Sequence, residues 1–251
     1  MNWKNHLQRI QIADRPTPSI QTLQLLQKQH LLNIPFENLD IHFGKKIILD
    51  LPKIYDKIIK NGRGGFCYEL NSLFHALLSE LGFEVKMIAA NVYNAEKKKY
   101  GIEFDHMTLI VRLEGEEYLT DVGFGEFTFF PLKLELGNIQ KDPRGEFFLD
   151  KISDQVFRIN KIENEITTPQ YIFKTDAWEL KDYEYACHYH QTSPDSHFTH
   201  KKVISRPTEN GRITLAENLL KIKSHNETQE IHLKNENDFI ENLMKYFNIK
   251  I

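Results

Sequence analysis

The chain has 251 residues, 41% of them hydrophobic, and a formal net charge of −3. That is enough apolar material for one large domain or two to three smaller units sharing a core, and the charge supplies no general field for nucleic acid. No apolar run reaches membrane-spanning length, the opening Met1-Asn2-Trp3-Lys4-Asn5-His6 lacks the apolar segment of a secretion signal, and two cysteines make no disulfide framework. The expected compartment is therefore reducing cytoplasm, with free thiols.

The first third reads helical. Thr17 can cap a helix with Pro18 at its first position, followed by Ile20, Leu23, Leu26, His30 and Leu31 on one face, and Pro35 ends it. Asp50 heads a second helix through Ile54, Ile58 and Ile59, closed by Asn61-Gly62. A third begins at Cys67, where Arg63-Gly64-Gly65-Phe66 runs into Leu70, Leu73, Phe74, Leu77, Leu78 and Leu81, with Gly82 as the stop. From Phe83 the pattern turns to β. Val85, Met87 and Ala89 alternate, and Met107–Val111 and Tyr118–Val122 flank the short turn Glu114-Gly115-Glu116. Shorter strands are expected near residues 127–134, 145–149, 156–159 and 171–174. Beyond Ser193-Pro194 come strands near Val203-Ile204, Ile213–Leu215 and Glu230–His232, then an amphipathic helix carrying Phe239, Leu243, Met244 and Phe247. The expected division is a helical unit over 1–82, a β unit over 83–192 and a small mixed unit over 193–251.

Cys67 carries the sharpest chemical signal. At the start of a helix, unpaired backbone N–H groups and the positive end of the dipole favour thiolate over thiol, and a thiolate is a nucleophile. Such a residue needs a base, and the base needs a group that fixes its tautomer. Spacing alone does not choose among eleven histidines. Context does more: His106 opens an apolar strand and Asp121 ends its hairpin partner, so the two become neighbours if the hairpin forms. An acid buried there without a partner would cost several kcal/mol. Two readings stay open on spacing, a Cys67–His106–Asp121 triad or a strand-edge histidine beside a turn aspartate.

Five ordered motifs bear on the choice: Ile34-Pro35-Phe36-Glu37-Asn38-Leu39, Arg63-Gly64-Gly65-Phe66-Cys67-Tyr68-Glu69, Asp105-His106-Met107, Asp121-Val122-Gly123-Phe124-Gly125 and Ser193-Pro194-Asp195-Ser196-His197-Phe198-Thr199. Together they resemble the arylamine N-acetyltransferase family over most of the chain. The resemblance implies an α+β fold made of a helical bundle, an antiparallel β-barrel-like unit and a C-terminal α/β lid, around a cysteine-protease or transglutaminase-like core. It implies catalytic roles for Cys67, His106 and Asp121, supporting roles for Arg63 and Glu37, and a substrate pocket lined by Phe124 and Gly125. A structural Arg63–Glu37 ion pair that locks the glycine turn is the preferred account of those two residues. The implied reaction is acetyl transfer from acetyl-coenzyme A, a co-substrate rather than a resident cofactor, to an aromatic amine, hydrazine or N-hydroxyarylamine. A hydrolase or transglutaminase on the same triad is the alternative. At Ile102-Glu103-Phe104 the chain departs from members with small or hydroxylated residues there, so no coenzyme contacts are carried to those positions.

The remaining features read blandly. Gly62, Gly64 and Gly65 precede no Lys-Ser/Thr pair and are a turn rather than a phosphate loop. Cys187-His188-Tyr189-His190 offers three ligand types without the four spaced positions zinc prefers; read as a strand, it puts Cys187 and Tyr189 on one face and the histidines on the other. Lys97-Lys98-Lys99 reads as a solvated turn.

Overall fold

The structure is a computed structural model that describes residues 1–225 and 227–250. Its helical part contains α1 (Trp3–Arg9), α2 (Ile20–Asn33), β1 (Phe36–Glu37), α3 (Leu39–His42), α4 (Leu51–Tyr55) with a π turn at Asp56–Lys60, and α5 (Cys67–Leu81). The strands β2 (Glu84–Asn94), β3 (Lys99–Tyr100), β4 (His106–Leu113), β5 (Glu116–Thr120), β6 (Leu132–Lys133), β7 (Gln140–Asp142), β8 (Gly145–Ser153), β9 (Val156–Glu163) and β10 (Ile166–Phe173) follow. Then come α6 (Glu184–Thr192), α7 (His197–His200), β11 (Val203–Thr208), β12 (Gly211–Ala216), β13 (Leu219–Ser224), β14 (Glu227–His232) and α8 (Glu236–Phe247).

Local rules account for most of these boundaries. Ser19 rather than Thr17 caps α2, its side chain accepting the Thr22 N–H, so Pro18 lies just outside the helix. Asp50 caps α4 through the Lys53 N–H at 3.0 Å. α5 stops at Gly82, whose φ of +94° is a left-handed conformation that residues with a Cβ adopt only at a cost. The 187–190 segment is not a strand: it lies in α6, where Ala186, Cys187 and His190 form the buried side. A helical rather than alternating pattern thus places Cys187 and His190 together. The sequence reading also missed α1 and β13, and of residues 127–134 only β6 is a strand.

The larger sheet is antiparallel and barrel-like, in the order β6-β5-β4-β2-β10-β9-β8-β7, with β3 on β2. Its interior holds Ile88, Ile110, Leu119, Phe127, Phe147 and Tyr171. α5 lies against β4 and β2, and its Leu70, Leu73, Phe74 and Leu77 share a core with Leu109 and Val111. Truncating a buried aromatic such as Phe74 costs about 3–5 kcal/mol, so the helix carrying Cys67 is held firmly. The second sheet runs β1-β11-β12-β13-β14 and packs on Phe239, Leu243 and Phe247 of α8. Its first strand comes from residues 36–37, so the chain's beginning and end share one sheet.

One buried pair has a consequence for pH. His6 and His30 are fully buried, with ring centroids 6.0 Å apart. Burial, helped by Arg9, depresses His6 to about 3; burial, with His6 and Arg9, lowers His30 as well. The unfolded chain therefore takes up protons below about pH 6.5 that the folded protein refuses, so these groups remove stability from there down towards pH 3. Denaturant midpoints should fall across that window in wild type, and the fall should be shallower in His30→Phe.

Candidate active site

Cys67 is the first residue of α5, with extended Phe66 as its cap. The carboxylate of Glu69 accepts the Phe66 N–H at 3.1 Å and so covers one donor that a helix start leaves open. Asn71 sits four residues on, on the same helical face as Cys67. Its amide donates to the Met107 carbonyl at 2.7 Å and to Asp121 Oδ1 at 3.0 Å, while its carbonyl accepts the Val122 N–H at 3.0 Å. The helix that begins at Cys67 is thus joined by one side chain to β4 and to the segment that follows β5. A Cβ on Gly123 would lie 2.8 Å from Cys67 Cα and 2.7 Å from Asn71 Nδ2, so only glycine lets the Asp121–Gly125 segment approach this closely.

The hairpin forms as expected and brings His106 Nε2 within 2.6 Å of Asp121 Oδ2, both side chains almost fully buried. Asp121 Oδ1 also accepts the backbone N–H groups of Gly123 (2.8 Å) and Phe124 (3.0 Å), and the Tyr171 hydroxyl donates to Oδ2 at 3.3 Å. Burial alone would raise the Asp121 pKa. The charge and hydrogen bond of His106, with Asn71 and the Gly123 N–H, outweigh it and hold the carboxyl below its ordinary value. Because Nε2 is engaged by Asp121, Nδ1 is the ring nitrogen left free of that carboxylate.

The helix start does not by itself produce a thiolate. Burial pushes the Cys67 thiol well above its ordinary pKa; a backbone hydrogen bond from Met107 opposes this, and the charges of Asp105 and Asp121 add to it. A lone thiolate is therefore disfavoured here. Cys187 is also a free, buried thiol, pushed up to about 12 mainly by burial.

Arg63 and Glu37 are bonded to each other, with Arg63 Nε–Glu37 Oε1 at 3.0 Å, inside a wider ion network. Arg63 also reaches Asp40 at 2.9 Å, and Lys57 bridges Asp40 (2.8 Å) and Glu69 (2.9 Å). Burial works against the Lys57 charge, but Glu69, Glu37 and Asp40 overcome it and raise its pKa. The network links the glycine turn to the cap of α5. Sequence reasoning named only two of its five members, since salt-bridge partners 12 to 26 residues apart leave no periodic signal. Beside it lies a cavity of about 390 Å³ lined by Lys45, Lys46, Lys53, Lys57 and Arg63 among others; Cys67 does not line it.

Phe124 packs against the His106–Asp121 pair, its ring centroid 5.3 Å from His106 and 5.2 Å from Tyr171. Gly125 has open space where a Cβ would stand, and its carbonyl accepts from Arg212 of β12. Phe104, with φ of +58°, packs edge-on against Trp178 and Tyr183, and its carbonyl accepts the Tyr68 hydroxyl at 2.7 Å. Phe104, among the residues before His106, thus serves internal packing.

A buried cysteine at a helix start, close to a hydrogen-bonded histidine–aspartate pair, defines the class of core found in cysteine-protease-like enzymes. A family model described as N-acetyltransferase matches residues 19–251. Arylamine N-acetyltransferase 1 of Bos taurus is 32% identical, the match covering 92% of this chain and 88% of that one. The arylamine N-acetyltransferase of M. smegmatis superposes with a TM-score of 0.92 at 29% identity, covering 100% of this chain and 93% of the other. The Mycobacterium marinum enzyme, solved in complex with CoA, gives 0.89 at 28% identity, covering 99% and 93%. The chain belongs to the arylamine N-acetyltransferase family.

Proposed function

We propose that the protein transfers an acetyl group from acetyl-coenzyme A to an aromatic amine, hydrazine or N-hydroxyarylamine through an acetylated Cys67. The observation that carries this reading is the buried 2.6 Å contact between His106 and Asp121 beside a cysteine that begins a helix, in a member of this family. His106 Nδ1 takes the thiol proton, and Asp121 stabilises the resulting imidazolium. The thiolate attacks the thioester carbonyl, and first-turn N–H groups of α5 stabilise the oxyanion. The bond from carbonyl carbon to coenzyme A sulfur breaks, the leaving thiolate takes the proton from His106, and acetyl-Cys67 remains. The amine then attacks that carbonyl, gives its proton to His106, and the Cys67 sulfur leaves. Two substrates using one site in turn make the kinetics ping-pong.

Phe124 and Gly125 wall the acceptor pocket in this reading, and residues 193–251 act as its lid over the units 1–82 and 83–192. Arg63 and Glu37 stabilise the glycine turn rather than enter the chemistry. Among the described residues no helix is long and apolar enough to cross a membrane, which accords with a cytoplasmic location. Incubation with acetyl-coenzyme A followed by intact-mass analysis tests the intermediate: a gain of one acetyl group is expected, and steady hydrolysis without that gain would favour the hydrolase alternative.

The state of the thiol gives an independent expectation. If His106 holds the proton, iodoacetamide modifies Cys67 well below the ordinary thiol range near pH 8.5, and acetyl-coenzyme A blocks the labelling. Cys187, with its pKa near 12, should stay unmodified. Labelling of Cys187 first, or labelling of Cys67 only in alkali, would show that burial prevails over the ion pair.

A further inference from the structure

The cavity beside the ion network carries more positive charge than its own residues balance. Its volume, about 390 Å³, is in the range of small-molecule sites. Lys45 and Lys46 border it from the segment between α3 and α4, Lys53 from α4, and Lys250 from the residues after α8. All four are exposed, and among the described residues none forms an ion pair with a carboxylate. Asp50, the acid nearest to Lys53 in sequence, accepts the Lys53 backbone N–H as a helix cap. Deeper in, Lys57 and Arg63 face Glu37, Asp40 and Glu69, two cations against three carboxylates. That network is one negative charge in excess, so the four rim ammoniums leave the whole cavity positive. Arg63 adds a buried donor. Its side chain is 8% exposed and borders the cavity; its Nε and Nη2 are bonded to Glu37 and Asp40, and Nη1 has no hydrogen-bond partner among the described residues. A guanidinium donor in so buried a place is costly until something accepts it.

We propose that this cavity is a phosphate-binding site, which takes inorganic phosphate or the phosphoryl group of a small molecule between Arg63 and the ammoniums of Lys45, Lys46 and Lys53. A phosphate offers up to two negative charges and at least three acceptor oxygens, so it can answer the guanidinium and several lysines together, which a single carboxylate cannot. Asp40 and Glu69 also border the cavity, but each is already bonded to Lys57, at 2.8 Å and 2.9 Å, so they do not turn it into a cation site. The rim is fixed by the fold. The Lys45 N–H donates to the Asp40 carbonyl at 2.8 Å, and Ile47 is held on both sides by Gln191 of α6, its N–H donating at 2.7 Å and its carbonyl accepting at 3.1 Å. A backbone held in this way lowers the ordering cost of binding. Cys67 does not border the cavity, so the inference stands apart from the acetyl-transfer reading.

The test is isothermal titration of the full-length protein with sodium phosphate, the ionic strength being held constant with chloride. Saturable binding at one site is expected in wild type. The double variant Lys46→Gln/Lys53→Gln should weaken it about tenfold or more, the value of one lost charge-assisted hydrogen bond. Lys99→Gln/Lys174→Gln removes two exposed lysines that do not border the cavity and should leave binding unchanged. All four of these side chains are exposed, so folding is not at stake, and melting curves check that. No saturable binding in wild type would overturn the proposal. Equal weakening in the two double variants would also overturn it, because that is a response to net charge rather than to a site. Coenzyme A added to the phosphate-loaded protein then identifies the source of the phosphate: displacement supports a site shared with a phosphate of the co-substrate, and binding without displacement supports a separate phosphorylated ligand. Phosphate binding is read without turnover, and Cys67→Ser should bind phosphate as wild type does, so a failure of acetyl transfer and a failure of this site are distinguishable.

Discussion

Replacing Cys67 with serine should abolish acetyl transfer while the circular dichroism spectrum and melting temperature stay close to wild type. Burial already pushes the thiol above its ordinary pKa, and in the proposed mechanism His106 can take its proton because a thiol is still far more acidic than a hydroxyl. A hydroxyl in the same low-dielectric setting starts several units higher, and the serine oxygen stays protonated. The side chain is nearly isosteric and sits at a helix start that the Glu69–Phe66 bond maintains, so folding is not at stake. Loss of the nucleophile in a triad costs roughly 10⁴–10⁶ in kcat. Near-wild-type turnover in the serine variant would remove Cys67 from the mechanism, and a loss accompanied by a collapsed melting temperature would show that packing rather than chemistry had been changed.

Changing Asp121 to asparagine should lower kcat by about 10²–10⁴, the upper figure being that seen for the matching change in a serine protease. The lower figure applies if the thiolate–imidazolium pair already exists at rest, since the acid then needs only to hold the ring. The asparagine oxygen can accept from one partner of the present set, but its NH₂ would face either His106 Nε2 or the N–H groups of Gly123 and Phe124. One buried donor therefore loses its acceptor, at about 1–3 kcal/mol, so melting must be measured with rate. The wild-type dependence on pH has the matching sign: Asp121 is held below its ordinary pKa, so its contribution to stability is full above about pH 4 and is lost as pH falls through the lowered value. Less than a tenfold loss in kcat would mean that Asp121 does not orient His106.

Much of the site was legible because its parts are local. The apolar spacing from Leu70 to Leu81 with a glycine at each end placed Cys67 at a helix start, and the Glu114-Gly115 turn set His106 against Asp121, since hairpin register follows from the turn. Asn71 lies two residues beyond the cysteine motif, and the sequence reading gives it no role. Its position four residues after Cys67, on the face that must meet the hairpin, was the available signal. Tyr171 carried none, because it reaches Asp121 across 50 residues from a strand whose pairing with β2 cannot be read from alternation.

By itself, then, the sequence determined where helix α5 begins and ends, which two strands form the hairpin of His106 and Asp121 and, through its ordered motifs, the family. Periodicity, capping and turn chemistry act over a few residues, and each of these features lies within such a span. The tertiary structure alone decided the ion network of Lys57, Arg63, Glu37, Asp40 and Glu69, the helical state of residues 184–192 that brings His190 to Asp105, and the burial that raises the Cys67 thiol. Those outcomes depend on which distant surfaces exclude water together, and that is a property of packing between elements, which no local spacing encodes.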